Sequence, residues 1–104
     1  MPPGLAAAVT PRILELLGDG PGRVLELGFA GVHAVLLELA GWEVVVVESD
    51  PAFRARAEAR ARTVAESPEG RFDVVVAPAG TDLSGIDAGR VLVVNRNGSV
   101  HERR

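Results

Sequence analysis

Hydrophobic positions along the chain form two kinds of run that alternate with each other. Short, mostly apolar runs, such as the four consecutive valines at 44–47, are typical of strands buried on both faces of a parallel sheet. Between them lie stretches rich in alanine and leucine, which favour helices. The pattern predicts strands at 23–27, 43–47, 72–77 and 90–96, and helices at 10–17, 31–40 and 51–66.

Caps and prolines set the expected helix boundaries. The apolar pattern of the first helix reaches back to residue 5, but Pro11 suits the first turn of a helix, so we place the start at Thr10. Asp50 is predicted to cap the third helix, with Pro51 at its first position. The stretch 81–89 is polar and has room for a single helical turn at most.

Asn97-Gly98 predicts a tight hairpin, since both central residues of a two-residue hairpin turn need positive φ. Residues 99–102 would return antiparallel as an edge strand. An exposed edge can pair with a second copy of the chain, so a homodimer is one expectation.

Strands that alternate with helices predict an α/β fold. We expect a single Rossmann-like domain over residues 1–104, with helices packed on a mainly parallel sheet of about four strands and a C-terminal antiparallel hairpin strand. The order of the strands stays open. In such sheets ligands bind outside the carboxyl ends of the strands, which places the loops after Leu27, Val47 and Ala77 at one rim.

The composition excludes several kinds of catalytic group and binding partner. The chain has 104 residues, a net charge of −3 and no cysteine, and all eleven of its basic residues are arginine. These features exclude thiolate and lysine nucleophiles, and the acidic balance argues against nucleic-acid binding. His33 and His101 are far apart, so no metal site is expected. Without an apolar run of about 18 residues or a signal peptide, we expect no membrane partner and a cytoplasmic protein.

Three features converge on the predicted rim. A turn spelled Glu-Leu-Gly-Phe-Ala-Gly (26–31) joins the first strand to its helix, and glycine there lets backbone approach a ligand. Glu48 follows the second strand about twenty residues later, where an acid can accept hydrogen bonds from both hydroxyls of a ribose. Ala77 ends the third predicted strand and offers an apolar wall. His33 is expected to be a partly buried helix residue.

These motifs resemble those of class I S-adenosylmethionine-dependent methyltransferases. The matching runs are VLELGFAGV, then LxGWEVVVVExDP, then RFDVVVAP and GRVLVV, over roughly residues 10 to 96. The resemblance implies a small or degenerate methyltransferase-like protein that binds S-adenosylmethionine, with an unknown methyl acceptor and no catalytic residue that we can nominate. It implies a cofactor site formed by Glu26, Gly28, Phe29, Ala30, Gly31, Glu48, Ser49 and Ala77.

The chain departs from that family in several places. Val32 stands where a third glycine is usual, and no amino-methylation signature follows Pro78. The stretch 61–72 is expected to leave no room for the family's third strand. The same turn also resembles the NAD-binding regulatory domains of potassium-transport proteins, but His33 would then occupy the third glycine position. We therefore favour S-adenosylmethionine, with NAD as the alternative cofactor and a non-enzymatic assembly domain as the third hypothesis.

Overall fold

The computed structural model describes residues 3–48, 50–65 and 67–103. Helices and strands follow one another within these residues, and their bounds are α1 Pro3–Leu17, β1 Arg23–Leu27, α2 Ala34–Leu39, β2 Glu43–Val47, α3 Pro51–Arg60, β3 Thr63–Ala65, β4 Arg71–Pro78, β5 Asp87–Val94 and β6 Val100–Arg103.

The strands form one sheet in the order β3-β2-β1-β4-β5-β6. The first five are parallel, and β6 pairs antiparallel with β5. The predicted α/β fold with a mainly parallel sheet and a C-terminal antiparallel strand is confirmed. The strand order that the sequence left open is decided by β4, which lies beside β1 rather than beyond β2.

Strand β3, which the sequence analysis does not predict, adds a fifth parallel strand to the sheet. The third helix ends at Arg60 instead of reaching residue 66, because Ala61 has extended backbone with φ −111° and ψ 148°. Residues 63–65 then pair with residues 45–47 of β2. The expectation that 61–72 leaves no room for a strand is therefore wrong: on a sheet edge, three residues that bond to a neighbour are enough.

The first helix begins at Pro3 rather than at Thr10, and Pro11 lies inside it. Val9, Ile13 and Leu17, spaced by four residues, are all buried against the sheet. This burial on both sides of Pro11 offsets the cost of an interior proline, which is about 3 kcal/mol. The second helix is shorter than predicted, since its regular turns start at Ala34.

The C-terminal hairpin forms as predicted but with a different turn. The N–H of Gly98 donates to the carbonyl of Asn95 at 2.9 Å, which makes Arg96 and Asn97 the central residues. Gly98 has φ +87°, and Asn97 is not among the residues with positive φ. A turn whose last residue is followed by a left-handed glycine is typical of three-residue hairpin loops, not of the predicted two-residue loop.

The helices pack on one face of the sheet. The core on that face contains buried residues of all three helices, among them Ile13, Leu37 and Ala57. On the other face the described cluster contains no helical residue, and Leu83 and Ile86 from the loop before β5 pack against it. The described part of the chain is thus a two-layer structure, and the loop before β5 covers part of the face that has no helix.

Candidate functional site at the carboxyl ends of the strands

Strand register brings the predicted rim together. Leu27 pairs with Val47, so Gly28 and Glu48 directly follow two adjacent residues at the same edge of the sheet. Glu26 pairs with Val76, which places Ala77 and Pro78 on the other side of the same turn. A Cβ at Gly28, whose φ is +75°, would lie 2.9 Å from Cγ of Pro78. The turn after β1 therefore needs glycine at its first position for steric reasons alone.

Two further residues of the turn have left-handed backbone. Ala30 has φ +51° and Gly31 has φ +79°. Left-handed backbone costs a non-glycine residue roughly 1–2 kcal/mol, so Ala30 is held in place by its surroundings. The guanidinium of Arg60 donates to the carbonyl of Ala30 at 3.2 Å, and a Cβ at Gly31 would lie 3.3 Å from Cβ of Arg60. Helix α3 thus packs against the outside of the turn.

We predict that Gly31→Ala lowers the free energy of unfolding by more than Gly85→Ala does. The two glycines have nearly the same φ, +79° and +80°, but a Cβ at Gly85 would meet no atom within 4 Å. Both changes carry the left-handed penalty of roughly 1–2 kcal/mol, and only Gly31→Ala adds a contact with α3. Urea denaturation of the two variants measures the difference, and equal losses would contradict the packing of α3 on the turn.

Glu26 lies beneath this turn and is fully buried. Its Oε1 accepts a hydrogen bond from the backbone N–H of His33 at 2.8 Å, and its Oε2 has no partner among the described residues. Burial raises the pKa of Glu26 to about 7, although the N–H groups of His33 and Gly31 and the charge of Arg60 act in the opposite direction. The carboxyl group holds the turn from inside.

His33 is fully buried, where the sequence analysis expected a partly buried residue. Its Nδ1 lies 2.7 Å from the hydroxyl oxygen of Thr10 on α1, and its ring meets the ring of Phe29 edge-on at 4.7 Å between centroids. Burial lowers the pKa of His33 to about 4, so the imidazole is neutral near pH 7. The imidazole of His33 joins α1 to the turn, and no carboxylate among the described residues bonds to the ring and would make it a base.

Glu48 is half-buried at the end of β2. Burial raises the pKa of its carboxyl above the ordinary value, and the nearby charge of Asp50 adds to the rise. No described residue donates to its side chain, while its backbone carbonyl accepts from Nε of Arg54 at 3.3 Å. This carboxylate at the rim has acceptor oxygens available for a ligand.

The remaining predicted site residues lie in different surroundings. Phe29 and Ala30 are buried, and Phe29 belongs to the core on the helical face. Ala77 is buried on the opposite face of the sheet. Ser49 lies outside the described residues. The structure therefore brings Glu26, the turn and Glu48 together, with Gly28 exposed at the surface between them.

Two residues contribute to this region without having been predicted from the sequence, Thr10 and Arg60. Thr10 is one of the buried polar residues, and it sits next to the buried stripe of α1. A polar residue beside Val9 in an apolar helix face was the available signal. Arg60 gave no such signal, because its contact with the Ala30 carbonyl depends on how α3 packs.

Two cavities lined by described residues lie away from the rim. One, of about 430 Å³, is lined by residues around Trp42 and Thr63 at the amino ends of β2 and β3. The other, of about 290 Å³, lies between Val75 and the loop residues Leu83 and Ile86. Among the described residues no cluster of three possible metal ligands occurs, and no helix has the length and apolarity to cross a membrane.

Comparison with known proteins supports the fold class. No protein-family model matches the sequence, and no curated protein matches it. Among solved structures, the glycopeptide N-methyltransferase MtfA in complex with S-adenosyl-L-methionine has a TM-score of 0.62 at 20% identity, over 84% of this chain and 53% of its own. AibC has a TM-score of 0.61 at 26% identity, over 91% of this chain and 36% of its own.

A third similar structure carries the other cofactor. Acetophenone reductase from Geotrichum candidum, in complex with NAD, has a TM-score of 0.55 at 21% identity, over 67% of this chain and 24% of its own. The chain thus spans between about a quarter and about half of the length of these neighbours. At this level of identity the likeness defines a Rossmann-like fold, a class whose members here include one protein that binds S-adenosylmethionine and one that binds NAD.

Proposed function

We propose that the rim formed by the 28–31 turn and Glu48 binds S-adenosylmethionine or a related adenosine compound. The observation that carries the proposal is the register of Leu27 with Val47, which sets a glycine turn and a half-buried carboxylate side by side. In this arrangement Glu48 accepts hydrogen bonds from the two ribose hydroxyls. The resemblance to class I methyltransferases and the structural likeness to MtfA support the choice of ligand.

The turn would receive the amino-acid portion of the ligand. The backbone N–H groups of Phe29 and Ala30 have no backbone acceptor among the described residues, so they would be the donors to its carboxylate. Glu26 contributes indirectly, because its buried carboxyl holds the His33 end of the turn. Phe29 and Ala77 would form walls of the site only after movement of their buried side chains.

The hydrogen bonding at the start of α2 favours S-adenosylmethionine over NAD. A dinucleotide places its pyrophosphate on free N–H groups at this point of a Rossmann fold. Here the N–H of His33 donates to Glu26, that of Val32 to the Phe29 carbonyl and that of Ala34 to the Gly31 carbonyl. A buried carboxyl and internal bonds thus occupy the positions that a pyrophosphate would use.

Each of two alternative functions is supported by one specific observation. An NAD-sensing module is supported by the NAD complex of acetophenone reductase, and Glu48 would suit the adenosine ribose of NAD equally well. An assembly domain is supported by β6, whose outer edge has no strand beside it in the described sheet and could pair with a second copy. Methyl transfer itself would need an acceptor and, for many acceptors, a general base, and we nominate neither.

Calorimetric titration with S-adenosylhomocysteine, with NADH in parallel, tests the proposal. We expect S-adenosylhomocysteine to bind with a Kd on the order of micromolar, about −8 kcal/mol, and NADH to give no heat. Binding of NADH alone would establish the dinucleotide alternative. If neither ligand binds to a folded sample, the hypothesis of an assembly domain remains. A stable dimer in a sedimentation experiment would then support that hypothesis.

A further inference from the structure

The C-terminal hairpin carries a chemically reactive pair that the rim does not involve. Asn97 is exposed and is followed by Gly98, which has no side chain to hinder approach to its nitrogen. Oδ1 of Asn97 accepts two hydrogen bonds from Ser99, one from the backbone N–H at 3.0 Å and one from the hydroxyl at 2.7 Å. The Asn97 side chain is therefore folded over the peptide group of Gly98.

We propose that Asn97 is a site of spontaneous deamidation through a succinimide formed with Gly98. The Gly98 nitrogen loses its proton and bonds to Cγ of Asn97, and Nδ2 leaves as ammonia. Water then opens the five-membered ring at either carbonyl and yields aspartate or isoaspartate. The reaction consumes one water and releases one ammonia, with no enzyme, oxidant or reductant.

Ser99 assists this reaction by two effects of geometry. The hydrogen bond from the Ser99 N–H to Oδ1 closes a ring that contains the five ring atoms of the future succinimide, so the reacting groups are held close. Its hydroxyl donates to the oxygen on which negative charge develops when the nitrogen attacks. The opposing factor is the hydrogen bond from the Gly98 N–H to the Asn95 carbonyl at 2.9 Å, which must break first.

Asn95 is a comparison site within the same hairpin. It is followed by Arg96, whose side chain hinders attack at the peptide nitrogen, and its Nδ2 is bonded to the Ser99 hydroxyl at 3.0 Å and lies 3.0 Å from Nδ1 of His101. The chain contains two asparagines and no glutamine. Any gain of about one dalton on ageing therefore arises at Asn95 or Asn97.

Incubation of the full chain in mildly alkaline buffer, followed by peptide mass spectrometry, tests the proposal. We expect conversion at Asn97 to be at least about tenfold faster than at Asn95, because glycine rather than arginine follows it. Ser99→Ala should slow the reaction about fivefold, the value of one hydrogen bond. Asn97→Ser should abolish the fast gain in mass, while Asn95→Ser should leave it in place.

A peptide of residues 94–100 in the same buffer verifies that the conditions support the reaction. Retention of the Asn97 amide in the protein while the peptide converts, or equal rates at Asn95 and Asn97, would overturn the site. An unchanged rate in Ser99→Ala would overturn the part assigned to the Ser99 hydroxyl. An isoaspartate-specific methylation assay on the digested protein distinguishes the two routes. Opening of a succinimide yields isoaspartate as well as aspartate, whereas direct hydrolysis of the amide yields aspartate alone.

Discussion

Glu48→Ala is expected to weaken the binding of S-adenosylhomocysteine by at least about a hundredfold. Two ribose hydroxyls donating to one carboxylate contribute about 1.5–3 kcal/mol each, and removal of the carboxylate loses both. The fold should remain intact, since the Glu48 side chain has no donor among the described residues and is half-buried at the rim. Calorimetric titration gives the affinity, and circular dichroism checks the fold.

Glu43→Ala is the matched control for this experiment. Glu43 lies at the other end of β2, and its carboxylate is ion-paired with Arg23 at 2.8 Å on a largely exposed surface. Surface pairs of this kind contribute about 0–1 kcal/mol, so the variant should fold and bind like the unchanged protein. If Glu48→Ala binds the cofactor with unaltered affinity, Glu48 does not hold the ribose, whichever cofactor binds.

Glu26→Gln is expected to become more stable than the unchanged protein as the pH rises from about 4.5 to 7. The carboxyl of Glu26 has a pKa near 7 in the fold against an ordinary 4.5, so its protonated form stabilises the folded state. This contribution is full below pH 4.5 and is lost as the pH rises through 7, a change of about 3 kcal/mol. Glutamine keeps the oxygen that accepts the His33 N–H and does not titrate.

His33 contributes a dependence of stability on pH that has the opposite sign. Its pKa is about 4 in the fold against an ordinary 6.5, so neutral His33 stabilises the fold above pH 6.5, and this stability is lost as the pH falls through 4. In the unchanged protein the two slopes nearly cancel between pH 4.5 and 6.5. In Glu26→Gln, of these two contributions, only that of His33 remains, so it raises the free energy of unfolding as the pH rises.

Urea denaturation across this pH range measures the difference between the two proteins. The control variant is Glu43→Gln, which removes an exposed carboxyl at the amino end of β2, away from the turn. A difference between Glu26→Gln and the unchanged protein that stays constant with pH would show that Glu26 titrates normally and is solvated. That result would also remove its role as the internal support of the turn.

Much of the local structure follows from the sequence. The apolar runs of β1, β2 and β4 predict those strands closely, because a strand buried on both faces has apolar residues at most of its positions. Asp50 caps α3 as predicted, and its side chain accepts from the Ala52 N–H at 2.9 Å. The positions of Gly28 and Glu48 at one edge also follow, since parallel strands end on the same side.

The tertiary structure decided the features that depend on distant partners. Strand β3 has three residues and exists because β2 supplies its hydrogen bonds. Helix α1 continues through Pro11 because Val9, Ile13 and Leu17, on both sides of that residue, are buried against the sheet. The unusual electrostatics of Glu26 and His33 come from burial beneath α1 and the turn, and Arg60 reaches the Ala30 carbonyl across 30 residues of chain. Local pattern determines which segments are helix or strand, whereas burial and long-range hydrogen bonds are properties of the packed chain.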